Sequence, residues 1–263
     1  MDKLGSAGVS AIAAEAKVDE RYLKEWLASN AARGYVSYDA EADKFSLTPE
    51  QASVFARESE PTCIQGLIQG VVGQFVKEDV AIDVFKTGRG RPWGEHHECC
   101  FCGTERFFRP AYAGHLLDEW IPALDGVEDK LKLGAKVADI GCGLGTSSIL
   151  MAEQFPNSTI HAFDFHGPSI EEAKKRANEK GLTNLEFFVS DAGEIPKNDY
   201  DLACIFDAWH DMGDPVGIAA SIKETLSKDG TFMVVEPMAL DGYANNIANN
   251  PASAMMYGFG TLV

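Results

Sequence analysis

The sequence lacks any long hydrophobic run. None of its 263 residues falls in a stretch of ~18 apolar residues, the length that a membrane-spanning helix needs. The segment 1–14 also lacks the basic start and apolar block of a signal peptide. We therefore expect a cytoplasmic protein, whose six cysteines are reduced thiols.

Positive charge is scarce as well. Lysine and arginine together number 23 against 40 aspartates and glutamates, which gives a formal net charge of -17. A surface this acidic repels nucleic-acid phosphates and anionic membranes, so we expect neither as a partner. A neutral or cationic small molecule meets no such barrier. The 45% share of hydrophobic residues is typical of a globular chain.

The N-terminal part has the pattern of a winged-helix-like module, which we place at residues 1–60. Residues 9–33 have apolar residues at helical spacing on both sides of a tight turn. Strands are predicted at Tyr35–Tyr38 and Lys44–Leu47, joined by a polar loop. Such modules often bind DNA, but the second helix, Asp19–Arg33, carries three acidic and three basic residues. We therefore favour a role in packing, dimerisation or covering a pocket.

Residues 61–135 are predicted to form a helical linker and lid. A stripe from Ile64 to Val72 predicts a helix within 61–88, and a second helix is predicted at Ala111–Leu124. Between them, Gly88–Gly103 is rich in glycine and predicts a loop.

This predicted loop contains histidines and a C-x₂-C pair, Cys99 and Cys102. A structural zinc site normally takes a second ligand pair from a separate turn, and the sequence offers none. We therefore expect no metal site. The alternative that we favour is a lid over a pocket, with Trp93, His96 and His97 as candidate lining residues.

The C-terminal domain, residues 136–263, alternates strands and helices, which predicts an α/β fold with a mostly parallel sheet. Few residues follow Pro237, so we expect this domain to lack its last strands and the chain to be incompletely represented. The predicted strands are Lys136–Ile140, Thr159–Asp164, Leu185–Val189, Asp201–Phe206 and Thr231–Glu236.

The most informative motif follows the first of these strands. Gly141, Gly143 and Gly145 alternate with other residues before a helix begins, so the backbone can turn sharply and approach a ligand closely. A dinucleotide-binding loop would read G-x-G-x-x-G, one residue longer at the third glycine. Asp139, two residues before the first glycine, suits a cationic group such as an α-ammonium and would repel a pyrophosphate.

Acidic residues also end the next two strands. Asp164 can accept hydrogen bonds from both hydroxyls of a ribose, although NAD-dependent enzymes use an acid in the same way. Asp191 follows the third strand. Because the carboxyl ends of parallel strands meet at one edge of the sheet, we expect these acids and Asp139 to surround one ligand.

With this loop and these acids, the sequence resembles the class I S-adenosylmethionine-dependent methyltransferases, whose first motif reads (D/E)-x-G-x-G-x-G. The resemblance implies a Rossmann-like domain with S-adenosylmethionine as cofactor. It implies that Asp139 and the glycines surround the methionine half, and that Asp191 meets the adenine amino group. The residues implied to bind the cofactor are Asp139, Gly141, Gly143, Gly145, Asp164, Phe165, Asp191, Ala192 and Phe206.

The ends of the last two strands resemble those of plant-type O-methyltransferases, which have a winged-helix dimerisation module. More closely, the His-Asp-Met-Gly-Asp-Pro segment resembles a group of winged-helix methyltransferases from bacteria and some animals. The resemblance implies a homodimer that methylates a small molecule at oxygen. His210 would be the general base, with Asp211 beside it and Glu236 orienting the ring.

Two other functions are compatible with the sequence. One is a winged-helix regulator that binds S-adenosylmethionine without catalysis, although the neutral second helix and the acidic charge argue against it. The other is an NAD-dependent oxidoreductase, although the glycine spacing and Asp139 argue against that.

Overall fold

The computed structural model describes residues 1–261; the end of the predicted C-terminal domain, Leu262 and Val263, lies outside the described residues. The N-terminal module contains helices α1 (Val9–Ala16) and α2 (Glu20–Ala32), the hairpin β1 (Ser37–Asp39) and β2 (Lys44–Ser46), and α3 (Pro49–Phe55). Asp19 caps α2 by accepting hydrogen bonds from two backbone N–H groups of its first turn. This is the predicted helix–turn–helix and wing.

A glycine face packs the next helices closely together. Helix α4 (Gln65–Val76) is followed by α5 (Glu78–Thr87), and α4 packs on α6 (Glu98–Ala111). A β-carbon at Gly66 would lie 2.4 Å from the backbone nitrogen of Phe107, and one at Gly73 would lie 2.8 Å from that of Cys100. The two backbones therefore touch, which only glycine allows.

The apolar stripe that predicted this helix is not its buried face. Ile68, Val71 and Val72 are exposed, whereas the glycines between them are buried. Phe75 is also exposed, at 75%. The hydrophobic period correctly indicates a helix, but the close contact with α6 leaves Ile68, Val71 and Val72 facing outward, while Leu67 is half-buried.

The predicted loop Gly88–Gly103 is wrong at its C-terminal end, because α6 begins at Glu98. Gly103 does not break this helix. A β-carbon there would lie 2.3 Å from the backbone nitrogen of Gly70, so the glycine serves close packing. Pro110 lies inside the helical segment, which continues as a π-helix over Tyr112–Trp120.

The C-terminal domain is the predicted α/β unit. Its five strands are all parallel and lie in the order β5-β4-β3-β6-β7. The connecting helices pack their apolar faces on the sheet. The strands are β3 (Lys136–Ile140), β4 (Thr159–Asp164), β5 (Leu185–Val189), β6 (Tyr200–Phe206) and β7 (Leu226–Val235), and the helices are α7 (Val127–Leu133), α8 (Thr146–Gln154), α9 (Gly167–Glu179) and α10 (Pro215–Thr225).

The strand β7 is longer than predicted. We expect from the sequence that Leu226 faces inward from a helix that Gly230 ends, but α10 ends at Thr225 and both residues lie in β7. A β-carbon at Gly230 would lie 2.6 Å from the carbonyl oxygen of Tyr200, so glycine is needed for close pairing with β6. Within residues 237–261 the chain forms two helices, α11 (Tyr243–Asn249) and α12 (Ser253–Gly260). No helix in the described part of the chain could cross a membrane.

Candidate active site

The glycine loop lies between β3 and α8, at the point where the order of the strands in the sheet reverses. Gly141, Gly143 and Gly145 all have positive φ angles, of 73°, 52° and 79°. A β-carbon at Gly145 would lie 2.9 Å from the ring of Phe187, whereas one at Gly143 would meet nothing within 4 Å. Gly145 is therefore required by packing, and Gly143 leaves space at the edge of a cavity.

Asp139 lies behind this loop. It is 1% exposed, and its Oδ2 accepts a hydrogen bond of 2.6 Å from the Ser147 hydroxyl and another from Ser148. Burial raises the pKa of Asp139 to about 6, although the two hydroxyls oppose that shift. The carboxylate thus holds the first turn of α8, and Asp139 is not among the residues that line the cavity.

The other two acids lie at the cavity wall. Oδ2 of Asp164 accepts a hydrogen bond of 2.9 Å from the backbone N–H of Gly143, and Oδ1 accepts one from that of His166. Burial raises the pKa of Asp164, and these hydrogen bonds oppose the shift. Asp191 is exposed and accepts a hydrogen bond from the backbone N–H of Gly193. The predicted residues Phe165, Ala192 and Phe206 also line the cavity.

Glu236 organises the turn that follows β6. Its Oε1 accepts hydrogen bonds from the backbone N–H groups of Ala208, at 3.1 Å, and Trp209, at 2.7 Å. Its Oε2 contacts Nδ1 of His210. One carboxylate therefore fixes both the turn and the imidazole ring.

The environment of His210 favours its protonated form. The hydrogen bond with Glu236 raises the pKa of His210, and burial opposes the shift only in part. The Nε2 atom lies 3.6 Å from Oδ1 of Asp211, whose own pKa is raised by burial. The structure thus brings together His210, Asp211 and Glu236, and all three line the cavity.

Sequence reasoning missed a buried pair beside this turn. The hydroxyl of Tyr112, in the π-helix, donates a hydrogen bond of 2.7 Å to Oδ2 of Asp207. Burial raises the pKa of Asp207 to about 6 and that of Tyr112 well above its ordinary value. The position of Asp207 after a strand end was a usable signal, but no local pattern links it to a tyrosine 95 residues away.

Glu105 is a second residue that the sequence did not reveal. Its side chain is 9% exposed and accepts hydrogen bonds from Arg109 and from the hydroxyl of Thr146, the first residue of α8. Arg176 of α9 lies 3.5 Å away. Burial alone would raise the pKa of Glu105, but these partners outweigh it and lower that pKa. The helical wall is thereby tied to the glycine loop.

Asp164, Asp191, Asp207, His210 and Glu236 line one cavity of about 920 Å³. That volume is near the upper end for small-molecule sites. The strand ends form its floor, α4 and α6 form one wall, and residues from α11 and α12 form another. The C-terminal residues Met255, Met256, Tyr257 and Phe259 also line this cavity.

The predicted lid is only partly at the cavity. Trp93 and His96 line it, whereas His97 caps α6 by accepting a hydrogen bond from the backbone of Cys99. His96 is buried beside Gln74, and burial lowers its pKa to about 4. In residues 1–261 no group of three or more His, Cys, Asp or Glu side chains is arranged to hold a metal ion.

Two family models match the chain. Residues 131–258 match the model described as a methyltransferase domain, and residues 1–57 match an Rv2258c-like winged HTH domain.

Curated relatives match the chain over part of their length. A sterol 24-C-methyltransferase, ERG6A of Gibberella zeae, is 30% identical over 172 residues, which are 64% of this chain and 42% of the relative. The aklanonic acid methyltransferase DauC of a Streptomyces species is 32% identical over 108 residues, which are 40% of this chain and 49% of the relative. The chain therefore spans less than half the length of these two relatives.

Solved structures share the fold over nearly the whole chain. The mitomycin 7-O-methyltransferase MmcR has a TM-score of 0.67 and 18% identity, and the match covers 98% of this chain and 76% of that one. Human N-acetylserotonin methyltransferase, in complex with S-adenosylmethionine, has a TM-score of 0.67 and 17% identity, with the same coverage. At such identity the likeness concerns the fold.

Proposed function

We propose that this chain is an S-adenosylmethionine-dependent methyltransferase. It carries a methyltransferase domain of the class I S-adenosylmethionine-dependent fold, which follows an Rv2258c-like winged-helix domain in the chain. The acceptor is a small molecule, methylated at oxygen. The observation that carries this proposal is the convergence on one cavity of the glycine loop, the strand-end acids and the His210–Glu236 pair.

The residues present fit the cofactor. The open space beside Gly143 admits a ligand against the backbone, and the start of α8 supplies helix N–H groups nearby. Asp164 lies at the end of β4, with Oδ2 bonded to the backbone of the glycine loop and Oδ1 to that of His166, and a ribose diol would bind to the remaining lone pairs of this carboxylate. Gly141 and Gly143 would border the methionine half, Gly145 would support the loop by packing on Phe187, and Asp191, Ala192, Phe165 and Phe206 would line the adenosine. Bound S-adenosylmethionine supplies an activated methyl group.

The role of the protein is to align the acceptor and to receive its proton. Glu236 accepts from Nδ1–H of His210, which leaves Nε2 as the basic atom of the neutral ring. That atom can take the proton of an acceptor hydroxyl, and Glu236 stabilises the resulting cation. The apolar walls exclude water around the reacting groups. These steps favour an oxygen acceptor.

Two of the relatives are named for the small-molecule acceptors that they methylate, a sterol and aklanonic acid. The size of this cavity and its lining of aromatic and methionine side chains support an acceptor of similar character.

The first test is equilibrium binding. S-adenosylmethionine and S-adenosylhomocysteine are titrated calorimetrically into the folded protein, with NAD as the control. Saturable binding of the adenosyl compounds is expected. A folded protein that binds neither would refute the enzymatic assignment, and binding without methyl transfer to any of a broad panel of hydroxylated acceptors would favour a regulator.

Three further features belong to this proposal. The protein is a homodimer, supported by the exposed apolar residues of α4 and α5, among them Phe75 and Phe85. It works in the cytoplasm, where its six free cysteines would stay reduced. Its chain divides into a winged-helix-like module at 1–60, a helical linker and lid at 61–135 and the cofactor-binding domain at 136–263.

A further inference from the structure

The acid in the glycine motif does not face the cavity, whereas another acid beside the glycine loop does. Asp139 belongs to the motif, but both of its oxygens are buried. Oδ2 is occupied by the hydroxyls of Ser147 and Ser148, and no described residue hydrogen-bonds to Oδ1. Because Asp139 does not line the cavity, it is poorly placed to meet a cationic ligand.

Asp207 has the position that Asp139 lacks. It follows β6, which is the neighbour of β3 in the sheet, so it lies beside the glycine loop. A β-carbon at Gly141 would be 2.8 Å from the β-carbon of Ala208, so the backbone after β6 lies against the loop. Asp207 also lines the cavity, as do Gly141 and Gly143.

Three features fix the orientation of Asp207: its backbone angle, a backbone hydrogen bond and a side-chain hydrogen bond. Its φ angle is 51°, in the left-handed region that aspartate tolerates better than most residues, and its backbone N–H donates to the carbonyl of Val235. Tyr112 donates to Oδ2. No described residue donates to Oδ1, and this atom is not among the buried atoms without a partner. One oxygen is therefore held by the protein while the other stays accessible from the cavity.

We propose that the carboxylate of Asp207, positioned by Tyr112, pairs with the α-ammonium group of the cofactor's methionine half, whereas Asp139 serves to hold the start of α8. This inference rests on the proposed function. Methionine carries an ammonium group next to the reacting sulfur, and a cation bound against an apolar wall needs an opposite charge. Asp207 supplies that charge beside the loop that would hold the methionine half.

The experiment separates the ammonium from the rest of the ligand. Calorimetry compares S-adenosylhomocysteine with its deaminated analogue, which keeps the adenosine and the carboxylate. In the wild-type protein S-adenosylhomocysteine is expected to bind about 10- to 100-fold more tightly, the range for a hydrogen bond between charged groups. We call this difference in affinity between the two ligands the gap. In Asp207→Asn the gap should close, because the amide oxygen can still accept from Tyr112 while the amide N–H groups face the ammonium.

The matched control is Asp139→Asn, in which the gap should persist. Tyr112→Phe removes only the positioning hydrogen bond and should narrow the gap by about 3- to 10-fold. A gap that survives Asp207→Asn, or that closes in Asp139→Asn, would overturn the inference. Failure of the wild-type protein to bind either ligand would overturn the proposed function itself.

A measurement on the wild-type protein covers the case in which Asp207→Asn does not fold. The groups that face Asp207 are Tyr112, Glu236 and His210. Because the pKa of Asp207 is about 6, its protonation should narrow the gap between the two ligands as the pH falls from 7.5 to 5. Changes at His210 or Glu236 that act on the whole site would move both affinities together. A gap that is constant over this range would contradict the inference.

Discussion

Replacing Glu236 with glutamine changes one atom and separates the two tasks of this side chain. In the wild-type protein the backbone N–H groups of Ala208 and Trp209 donate to Oε1 of Glu236. The amide oxygen of the variant can still accept both hydrogen bonds. The amide nitrogen would then face Nδ1 of His210, where Oε2 lies now. Since an amide nitrogen only donates, Nδ1 must accept, and the ring proton moves to Nε2. The basic atom of His210 would thereby be lost.

The expected effect on turnover is large and the effect on stability small. Loss of general-base help lowers kcat by roughly 10²- to 10⁴-fold. The turn keeps its hydrogen bonds in the glutamine variant, whereas Glu236→Ala leaves two backbone donors without an acceptor, at about 1–3 kcal/mol each. The pH dependence has a definite sign. Since Glu236 raises the pKa of His210 above 6.5, its stabilising effect is complete below pH 6.5 and disappears as the pH rises through the folded-state pKa.

The assay follows formation of S-adenosylhomocysteine with a hydroxylated aromatic acceptor selected by screening. The stability of both variants is measured by urea unfolding at pH 6 and pH 9, and calorimetry confirms cofactor binding. The glutamine variant should be inactive but folded and able to bind cofactor. Its loss in free energy of unfolding relative to the wild-type protein should be larger at pH 6 than at pH 9. Full turnover in that variant would refute the assignment of His210 as a base held by Glu236.

Other perturbations test the remaining features. As the pH rises from 4 to 7.5, Asp139→Asn should become more stable relative to the wild-type protein, by up to about 3 kcal/mol at pH 7.5. The reason is that a buried carboxylate whose pKa is raised from 3.8 to about 6 is costly to ionise. Urea unfolding at pH 4 and pH 7.5 measures the free energy of unfolding of both proteins. Gly103→Ala should cost more than about 3 kcal/mol, whereas Gly114→Ala, where an added β-carbon meets nothing, should cost less than about 1 kcal/mol; equal melting temperatures would contradict the packing argument. Gly143→Ala should lower stability by about 1–2 kcal/mol, because its φ angle of 52° is left-handed, and should weaken binding of S-adenosylhomocysteine by more than that, because its β-carbon enters the space at the cavity; calorimetry and thermal unfolding compare the two effects. Phe75→Asp should convert a dimer into a monomer in light scattering, and an unchanged mass would place the interface elsewhere.

Local patterns were sufficient for most of the sheet, although not for the start of β7. The bounds of β3, β4 and β5 agree with the prediction at both ends, because each is a short apolar run between clear breaks. The glycine loop could likewise be placed, since its function depends on consecutive residues. The winged-helix domain was recognisable because two helices and a hairpin follow one another without an insertion.

Contacts between distant segments could not be read in this way. The apolar stripe of α4 indicated a helix but not its orientation, because the contact with α6 depends on glycines from both helices. The same limit applies to the site. Motif position drew attention to Asp139, whereas the pairing of Asp207 with Tyr112 at the cavity becomes visible only in the structure.

The Glu105 carboxylate restricts how molecules can pass in and out of the cavity. It belongs to α6 and contacts the first residue of α8 and Arg176 of α9, so the helical wall cannot swing away without separating this buried carboxylate from Thr146 and Arg176. The wall formed by α6 is therefore expected to stay fixed. We therefore expect acceptor and product to enter and leave through the other wall, which residues of α11 and α12 form.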